Sequence, residues 1–508
     1  MKRIGSLALA LALALLLFSG CGGSAEAADI NALPEPGPDD HYRNWYEVFV
    51  WSYADSDGDG IGDLNGLREK LDYIRELNCA GIWLMPVMPS PSYHKYDVTD
   101  YMDIDPQYGT LEDFRALLAA AHERDIRVIL DLPVNHTSSL HPWFLSAAEG
   151  PDSPYRDYYC WSDTAQSGYT ERNGAWYESR FVDSMPDLNL DNPAVRREIE
   201  EILRFWLTDV GADGFRLDAV TSYYTGRVED NVEFLTWLGD AAHAIDPDCY
   251  LVGEAWDNLS SIARYSQSSV DSFFLFPASQ QEGWIAKVLN RRNGAGATLG
   301  GYYMELQETL PENTIPAPFL ENHDTGRAVG FTGRENLVKT KMAGGLLCTM
   351  PGSVFIYYGQ EIGMVGSGDD PNKRLGMLWT TQEETTQPPP GVTRLEYAYP
   401  SVAEQEPDED SLLNYYRQAL KMRDEFPAIA RGTTELLECE NKDLCLALRV
   451  WEDQTVLLAV NPTTRPGDCR LPDGWTIACT LLTGEEEPTL TGTELHLPAC
   501  SVVVLIKE

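Results

Sequence analysis

The chain has 508 residues, 79 of them acidic and 38 basic, so its formal net charge at neutral pH is −41. Such an acidic chain repels phosphate backbones, which excludes nucleic acid as a partner, and its 43% hydrophobic content with 13 Trp excludes wholesale disorder. The length allows about three domains of ~150 residues, or one barrel of ~250 residues or more with smaller domains attached. The many Trp and Tyr side chains suit a neutral, ring-shaped ligand.

The N-terminus is typical of an export signal. Lys2 and Arg3 precede an apolar run over residues 4–18, which as a helix would span about 22 Å, less than the ~30 Å hydrocarbon core of a bilayer. The run ends in Leu-Phe-Ser-Gly-Cys at 17–21, which resembles a bacterial lipoprotein signal, whose cysteine is acylated after cleavage. The alternative is ordinary cleavage a few residues later, in which Cys21 is discarded.

We therefore predict a signal peptide of the lipoprotein type over residues 1–20 and a tether over residues 21–40, which contains Gly, Ser, Ala, Pro and acidic residues. Acylation of Cys21 would attach an exported protein to a membrane, at the cell surface or on the periplasmic face. Without this lipid anchor the protein would be secreted. No later apolar run in the sequence is long enough to span a bilayer.

From residue 45 to about residue 430 short β-type runs alternate with helical patterns. The β-type runs cover 45–51, 81–87, 127–134, 214–220, 250–255, 272–276, 317–320 and 353–358. The helical patterns cover 64–77, 111–124, 193–210, 232–245, 335–349 and 412–426, and no clear pattern marks the fifth and sixth helices. Eight βα repeats predict a (β/α)8 TIM barrel over 41–432, with a doubly wound sheet as the alternative.

Two segments depart from this alternation. Residues 135–191 separate the third strand from its helix and are rich in Tyr, Trp, Ser and Asp, which predicts an inserted subdomain over the active face of the barrel. Short alternating strands over 433–508 predict a C-terminal β-sandwich domain. This region is rich in cysteine, and the sequence favours a Cys439–Cys445 disulfide across a hairpin turn, with the remaining connectivity undecided.

The segment 55–63, which follows the first strand, is the clearest metal candidate. Its sequence Asp-Ser-Asp-Gly-Asp-Gly-Ile-Gly-Asp places oxygen donors at alternate positions, and the glycines allow tight curvature. This pattern suits Ca²⁺, which takes six to eight hard oxygen ligands. The segment is not an EF-hand, because Gly66 stands at the twelfth position where a bidentate Glu is needed. The alternative is a solvated acidic turn.

Barrel enzymes place their chemistry at the C-terminal ends of the strands. Charged and polar residues follow four of the predicted strands, namely Asp131, Asn135 and His136, then Arg216 and Asp218, then Glu254, then His323 and Asp324. A single carboxylate of this kind would be a helix cap or a salt-bridge partner. Four convergent segments instead suit glycoside hydrolysis, in which one carboxylate attacks the anomeric carbon and another protonates the leaving oxygen.

These segments resemble the conserved regions of the α-amylase family, glycoside hydrolase family 13. The matching segments are DLPVNH at 131–136, GFRLD at 214–218, GEAW at 253–256, ENHD at 321–324 and MPDLN at 185–189, the last typical of bacterial α-amylases. Two supporting regions lie at 81–86 and 357–363. The resemblance runs from about residue 42 to the C-terminus and implies a barrel with an inserted subdomain and a C-terminal β domain.

The resemblance implies a role for each motif residue. Asp218 would be the nucleophile, Glu254 the acid/base and Asp324 the transition-state stabiliser. Tyr96 would stack on the sugar, and three histidines would bind its hydroxyls, namely His94, His136 and His323. Arg216 would position the nucleophile, and Asp131 would orient its neighbours. The implied calcium ligands are Asp55, Asp57, Asp59, the carbonyl of Ile61, and Asp63.

We expect a monomeric, calcium-containing α-amylase that cleaves internal α-1,4 bonds of starch, glycogen and maltodextrins with retention of configuration. Chain-end glucosidases of the family usually carry Asp where this chain has Tyr93, and oligo-1,6-glucosidases carry Val and Gln where it has Ala219 and Met185. One departure from many amylases is Thr221-Ser222 in place of Lys-His. The alternatives are an α-glucosidase or oligo-1,6-glucosidase that acts on chain ends, and a non-catalytic glucan-binding relative.

Overall fold

A computed structural model describes residues 40–381 and 385–507. The predicted signal peptide, nearly all of the tether and the acylation site Cys21 lie outside the described residues. Within the described part of the chain no helix is both long and apolar enough to cross a membrane.

Eight parallel strands form the centre of the fold. They are β1 (Trp45–Val48), β2 (Gly81–Leu84), β3 (Arg127–Leu132), β4 (Gly214–Leu217), β5 (Tyr250–Gly253), β6 (Ser272–Phe274), β7 (Ile315–Ala317) and β8 (Phe355–Tyr357). Their order in the sheet is β7-β6-β5-β4-β3-β2-β1-β8, and a parallel bridge between Phe319 and Phe355 joins the two ends. The sheet is therefore a barrel, as predicted, and the doubly wound alternative is wrong.

Helices follow the strands and cover the outside of the barrel. The α-helices are α1 (Leu64–Glu69), α2 (Leu71–Glu76), α3 (Leu111–His122), α4 (Pro142–Ala147), α5 (Pro193–Arg204), α6 (Val228–Ile245), α7 (Leu259–Tyr265), α8 (Trp284–Asn290), α9 (Ala295–Thr309), α10 (Val329–Thr332), α11 (Leu337–Cys348), α12 (Val402–Gln405), α13 (Leu412–Glu425) and α14 (Ala428–Arg431). A π-helical turn, Phe205–Val210, extends α5, and short 3₁₀ turns lie at Val50–Ser52, Arg156–Tyr158, Phe276–Ala278 and Asp370–Lys373.

Two of the helical connections differ from the sequence prediction. The single helix predicted over 64–77 is two short helices that meet at Lys70. The unpatterned connection after β6 contains α8 and α9, and α9 packs on the C-terminal domain through small residues. A Cβ at Gly296 would lie only 2.0 Å from the Leu444 carbonyl carbon. Because this face of α9 is built from glycine rather than from large apolar side chains, amphipathic periodicity does not reveal it.

Strand parity explains how an apolar barrel carries charged groups at one end. Successive side chains on a strand point to opposite faces, so residues two apart share a face. Trp45 and Ile129 belong to the inner core of the barrel, and two positions further along each strand stand Glu47 and Asp131, both buried. The register places Asp131 opposite Arg216, so the last inward-facing layer of the barrel is charged.

The two appended regions contain antiparallel sheets. In the inserted segment the strand Ala175–Glu178 lies between Trp161–Ser162 and Tyr169–Arg172. The C-terminal region has a five-stranded sheet of Thr433–Leu436, Cys445–Trp451, Gln454–Asn461, Trp475–Leu482 and Ser501–Lys507, and a three-stranded sheet of Gly467–Arg470, Thr489–Thr491 and Glu494–Leu497. A separate apolar core lies between the two sheets. The predicted fold class, a barrel followed by a C-terminal β domain, is confirmed.

Candidate active site

Arg216 connects the carboxylates at the C-terminal end of the barrel. Its side chain is fully buried. Its Nη1 donates hydrogen bonds of 2.8 Å to Asp131 and to Oδ1 of Asp218, and its Nη2 lies 2.9 Å from Oε1 of Glu254. These residues come from the adjacent strands β3, β4 and β5 or directly follow them. One planar guanidinium therefore fixes the positions of three carboxylates relative to one another.

The turn after Asp218 is strained and serves the acid/base candidate. Ala219 has φ +48°, a left-handed conformation that is uncommon for a residue other than glycine and that clusters at functional sites. In this conformation its backbone N–H donates a 2.9 Å hydrogen bond to Oε2 of Glu254. Oδ2 of Asp218 has no hydrogen-bond partner among the described residues and is the oxygen available to react.

The environment of Glu254 keeps a proton on it at neutral pH. Burial raises the pKa of Glu254 to about 7, and the negative charges of Asp218 and Asp324 act in the same direction, while Arg216 opposes them. Near pH 7 a substantial fraction of Glu254 is therefore protonated and can donate. A carboxyl group that can donate a proton, held beside a second carboxyl group by one arginine, is what acid-assisted glycosidic cleavage needs.

Asp324 belongs to a chain of alternating charges. Its two oxygens lie 3.0 Å from Nε2 of His323 and 2.9 Å from Nη2 of Arg374, and Nδ1 of His323 lies 2.6 Å from Glu47. Burial alone would raise the pKa of Asp324, but the charges of His323 and Arg374 hold it well below its usual range. Burial would also lower the pKa of His323, but Asp324 and Glu47 raise it to about 9, so the imidazole is charged at neutral pH.

The hydroxyl of Tyr96 lies between Asp131 and His323. Its hydroxyl is 2.9 Å from Asp131 and 2.7 Å from Nε2 of His323, and its ring is stacked on the His323 ring with centroids 5.6 Å apart. The guanidinium of Arg216 lies 5.8 Å from the Tyr96 ring centroid. Asp131 itself is fully buried, and its orienting role stays a prediction.

The two remaining histidines flank Tyr96. Nδ1 of His94 accepts a hydrogen bond of 3.2 Å from the backbone N–H of Tyr96, and burial lowers the pKa of His94 to about 4, so the ring is neutral at pH 7. His136 is buried, and its Nε2 lies 3.2 Å from the Tyr96 carbonyl. The structure thus places both histidines beside Tyr96, and their contact with a sugar stays a prediction.

The acidic segment after β1 brings three of its carboxylates together. Oxygens of Asp55, Asp57 and Asp63 lie within 4.8 Å of one another. Asp59 is not part of this group, and its carboxylate accepts a 2.7 Å hydrogen bond from the backbone N–H of Ile61. Three clustered carboxylates on a curved glycine-containing segment are hard oxygen donors that fit Ca²⁺. The structure itself carries no ions.

Sequence reasoning missed Glu47 and Arg374. Glu47 could have been found, because it is the sole charged residue in the apolar run 45–51, and a charge inside a strand indicates a buried partner. Arg374 lies in the long connection after β8, where nothing in the local sequence distinguishes it. Only the fold shows that it reaches Asp324 and, at 3.3 Å, the hydroxyl of Tyr93.

The fold and the site together define a glycoside hydrolase of the barrel type. The family model described as "Alpha amylase, catalytic domain" matches residues 47–432. The chain belongs to the alpha-amylase family, glycoside hydrolase family 13.

Several relatives support this membership. Alpha-amylase 3 of Dictyoglomus thermophilum is 40% identical over 430 residues, which covers 83% of this chain and 85% of that protein. Oligo-1,6-glucosidase of Heyndrickxia coagulans is 30% identical, covering 88% of this chain and 96% of that protein. The solved structure of Eubacterium rectale Amy13B superposes with a TM-score of 0.89 at 43% identity, covering 92% of this chain and 96% of that chain.

Proposed function

We propose that the protein is a retaining α-amylase that cleaves internal α-1,4-glucosidic bonds of starch, glycogen and maltodextrins. The observation that carries the proposal is the placement of Asp218 and Glu254 on one guanidinium, that of Arg216. Such an arrangement suits a nucleophile and an acid that face the same bond, which is the geometry of the retaining mechanism.

In the proposed mechanism Oδ2 of Asp218 attacks the anomeric carbon while Glu254 transfers its proton to the leaving oxygen. The resulting glycosyl-enzyme ester is broken by water, from which the Glu254 carboxylate removes a proton. Asp324 stabilises the positive charge that develops on the sugar ring, because His323 and Arg374 keep it ionised. Arg216 holds the nucleophile throughout.

Two features support internal cleavage over attack at chain ends. Tyr93 stands where chain-end glucosidases of the family usually carry Asp, and it offers Arg374 a neutral phenol oxygen rather than a carboxylate. The ion pair that an Asp at this position would form with Arg374 is therefore absent, and the non-reducing side has no such charged pair to bind a terminal sugar. Ala219, which directly follows the nucleophile, is small and leaves room for an α-1,4-linked neighbour. The alternative is an α-glucosidase or oligo-1,6-glucosidase that acts on chain ends, and the Heyndrickxia coagulans relative is an oligo-1,6-glucosidase.

Product analysis tests the mode of action. Dye-linked, cross-linked starch should release colour, and amylose viscosity should fall before much glucose appears. Glucose as the sole early product, or faster attack on isomaltose than on maltotetraose, would support the glucosidase alternative instead.

Proton NMR of fresh hydrolysate tests the role assignment. The α-anomer should appear first, because two inversions restore the starting configuration, and an initial β-anomer would overturn it. Asp218→Asn should lose turnover by a factor of ~10⁴ or more and keep the wild-type melting temperature within a few degrees. The control is Asp209→Asn, at an exposed position on the outer face of the barrel, which should keep full activity.

We also propose one structural Ca²⁺ in the Asp55–Asp63 segment and attachment of the exported protein to a membrane through Cys21. The clustering of Asp55, Asp57 and Asp63 supports the calcium ion. The N-terminal sequence pattern supports the lipid anchor. An α-glucan is the substrate partner in this proposal, and the working unit is a monomer.

A further inference from the structure

We propose that Cys439 and Cys469 are a redox-active pair that closes to a disulfide between the two sheets of the C-terminal domain. This pairing differs from the Cys439–Cys445 bond that the sequence favours. The argument depends on the position of each thiol in the sandwich and is independent of the proposed amylase activity.

Cys445 lies on a strand, whereas Cys439 lies in the irregular segment that precedes it. Cys445 begins a strand of the five-stranded sheet and points toward α9, where its Sγ would lie 3.5 Å from a Cβ at Gly300. It belongs to the core that the domain shares with the barrel helices. Cys439 instead packs against the core between the two sheets, so the two thiols that are neighbours in sequence lie in different apolar cores.

Cys439 and Cys469 meet in that second core. Cys469 lies on the strand Gly467–Arg470 of the three-stranded sheet, directly opposite Leu495, and both Cys439 and Cys469 pack in the core between the sheets and line the same cavity. Cys439 lies in the segment 437–444, which joins two strands of the five-stranded sheet. Backbone hydrogen bonds from Leu437 to Leu446 and from Ala297 to Lys442 hold this segment beside the sheet and α9.

Cys439 is partly exposed, whereas Cys469 is buried behind it. Both cysteines line a surface cavity of about 920 Å³, which gives a small oxidant access to Cys439. Hydrogen bonding from Cys469, together with the charge of Lys442, lowers the pKa of Cys439 to about 7, and the Lys442 ammonium is held nearby by a 2.8 Å hydrogen bond to the Cys439 carbonyl. Cys439 is also the more exposed of the two thiols, so it is the one that attacks the oxidant.

The oxidation step uses a small-molecule disulfide as the oxidant. The Cys439 thiolate attacks one sulfur of that disulfide, forms a mixed disulfide and releases one small thiolate. Cys469 then loses its proton and attacks the sulfur of Cys439, which forms the Cys439–Cys469 bond and expels the second small thiolate. The oxidant gains two electrons and, once both thiolates are protonated, two hydrogens, and the protein loses the same number.

Tryptic mapping of the full-length protein distinguishes the two pairings. Cleavage after Arg431, Lys442, Arg449 and Arg470 puts Cys439 in peptide 432–442, Cys445 in peptide 443–449 and Cys469 in peptide 450–470, since the Arg465–Pro466 bond resists trypsin. After incubation with oxidised glutathione and alkylation in denaturant, we expect 432–442 linked to 450–470, two hydrogens lighter than the sum of the free peptides. Alkylation of both cysteines, or a link from 432–442 to 443–449, would overturn the proposal.

A melting experiment provides the second measurement. Dithiothreitol should lower the Tm of the oxidised wild type by a few degrees, because the link constrains the unfolded chain, and it should not shift the Tm of Cys439→Ser or Cys469→Ser. Cys160→Ser, at a partly exposed thiol of the inserted segment, is the matched control and should keep the wild-type response. If the two variants do not fold, the peptide map of the wild type still decides. An unchanged wild-type Tm, with no linked peptide, contradicts the pair.

Discussion

At the residue scale, the chemistry of the site depends on the different pKa values of the carboxyl groups at the C-terminal end of the barrel. Glu254 and Asp131 have a pKa raised to about 7 by burial, whereas Asp324 is held ionised by His323 and Arg374. Separating the protonation states of neighbouring acids in this way lets one donate a proton while another stabilises positive charge.

The first prediction concerns the pH dependence of Glu254. The acid must be protonated to act, and its protonated fraction falls as pH rises through about 7, so kcat/KM on maltooligosaccharides should decline on the alkaline side of that value. Glu254→Gln should lower activity by ~10²–10⁴-fold and remove the alkaline limb. Aryl maltosides with acidic phenol leaving groups, which need no proton, should lose much less at the glycosylation step. An unchanged alkaline limb in the variant would contradict the assignment.

The second prediction concerns Tyr93, which lies 3.3 Å from Nη1 of Arg374. Tyr93→Asp should place a carboxylate beside that guanidinium and give the non-reducing side a charged pair that binds the hydroxyls of a terminal sugar. The ratio of viscosity loss to new reducing ends on amylose should therefore fall. Tyr93→Phe, which removes the hydroxyl but adds no charge, is the control and should keep the wild-type ratio. If both variants have the same ratio of viscosity loss to new reducing ends, Tyr93 does not determine the mode of cleavage.

At the element scale, the start of α1 and the proposed calcium segment share one residue. Asp63 is the N-cap of α1, where its carboxylate accepts 2.8 Å hydrogen bonds from the Gly66 N–H and the Ser56 hydroxyl. Asp57, by contrast, is exposed and accepts a backbone hydrogen bond from Asp59. Asp63 thus stabilises the helix with or without a metal ion, whereas Asp57 has no comparable structural role.

The third prediction follows from this difference. EDTA should lower the Tm of the wild type reversibly, because clustered carboxylates repel one another without a cation. Asp57→Ala should abolish the response to Ca²⁺ and keep the wild-type Tm measured in EDTA. Asp63→Ala should also lose the response, and in EDTA it should be less stable than the wild type by about 1 kcal/mol, the usual cost of a lost N-cap. The calcium site would be contradicted if EDTA does not change the wild-type Tm and elemental analysis finds no calcium.

At the scale of the whole molecule, the barrel, the inserted segment and the C-terminal domain form a body that the proposed tether would hold outside a membrane. The nineteen residues from Gly22 to the first described residue, Asp40, would reach at most about 65 Å when extended. Such a reach suits an enzyme that degrades a polymer outside the cell and keeps its products near the surface.

The fourth prediction concerns this attachment. Cys21→Ser should move the protein from the membrane fraction to the soluble fraction, with starch hydrolysis per molecule unchanged, because the substituted residue lies in the N-terminal segment. Cys160→Ser should leave the protein with the membranes. A native protein that is already entirely soluble after fractionation would show that Cys21 is not acylated.

Much of the fold could be predicted because it depends on local periodicity. Seven of the eight barrel strands lie within the predicted β-type runs, whereas β7 (Ile315–Ala317) shares only Ala317 with the run predicted over 317–320. The connection after β6 was not predicted, since α9 buries glycines against the C-terminal domain rather than an apolar stripe. A helix that packs through small residues has no amphipathic signal to find.

For this protein the sequence by itself determined the order of strands and helices and the identity of the carboxylates that follow the strands, because both depend on residues near one another in the chain. Only the tertiary structure decided which partner each group has. Arg374 reaches Asp324 across 50 residues, and Cys439 packs in the same core as Cys469, whereas Cys445 belongs to the other core. The physical reason is that such contacts depend on which faces of the elements pack together, so that even the adjacent residues Leu444 and Cys445 lie in different cores.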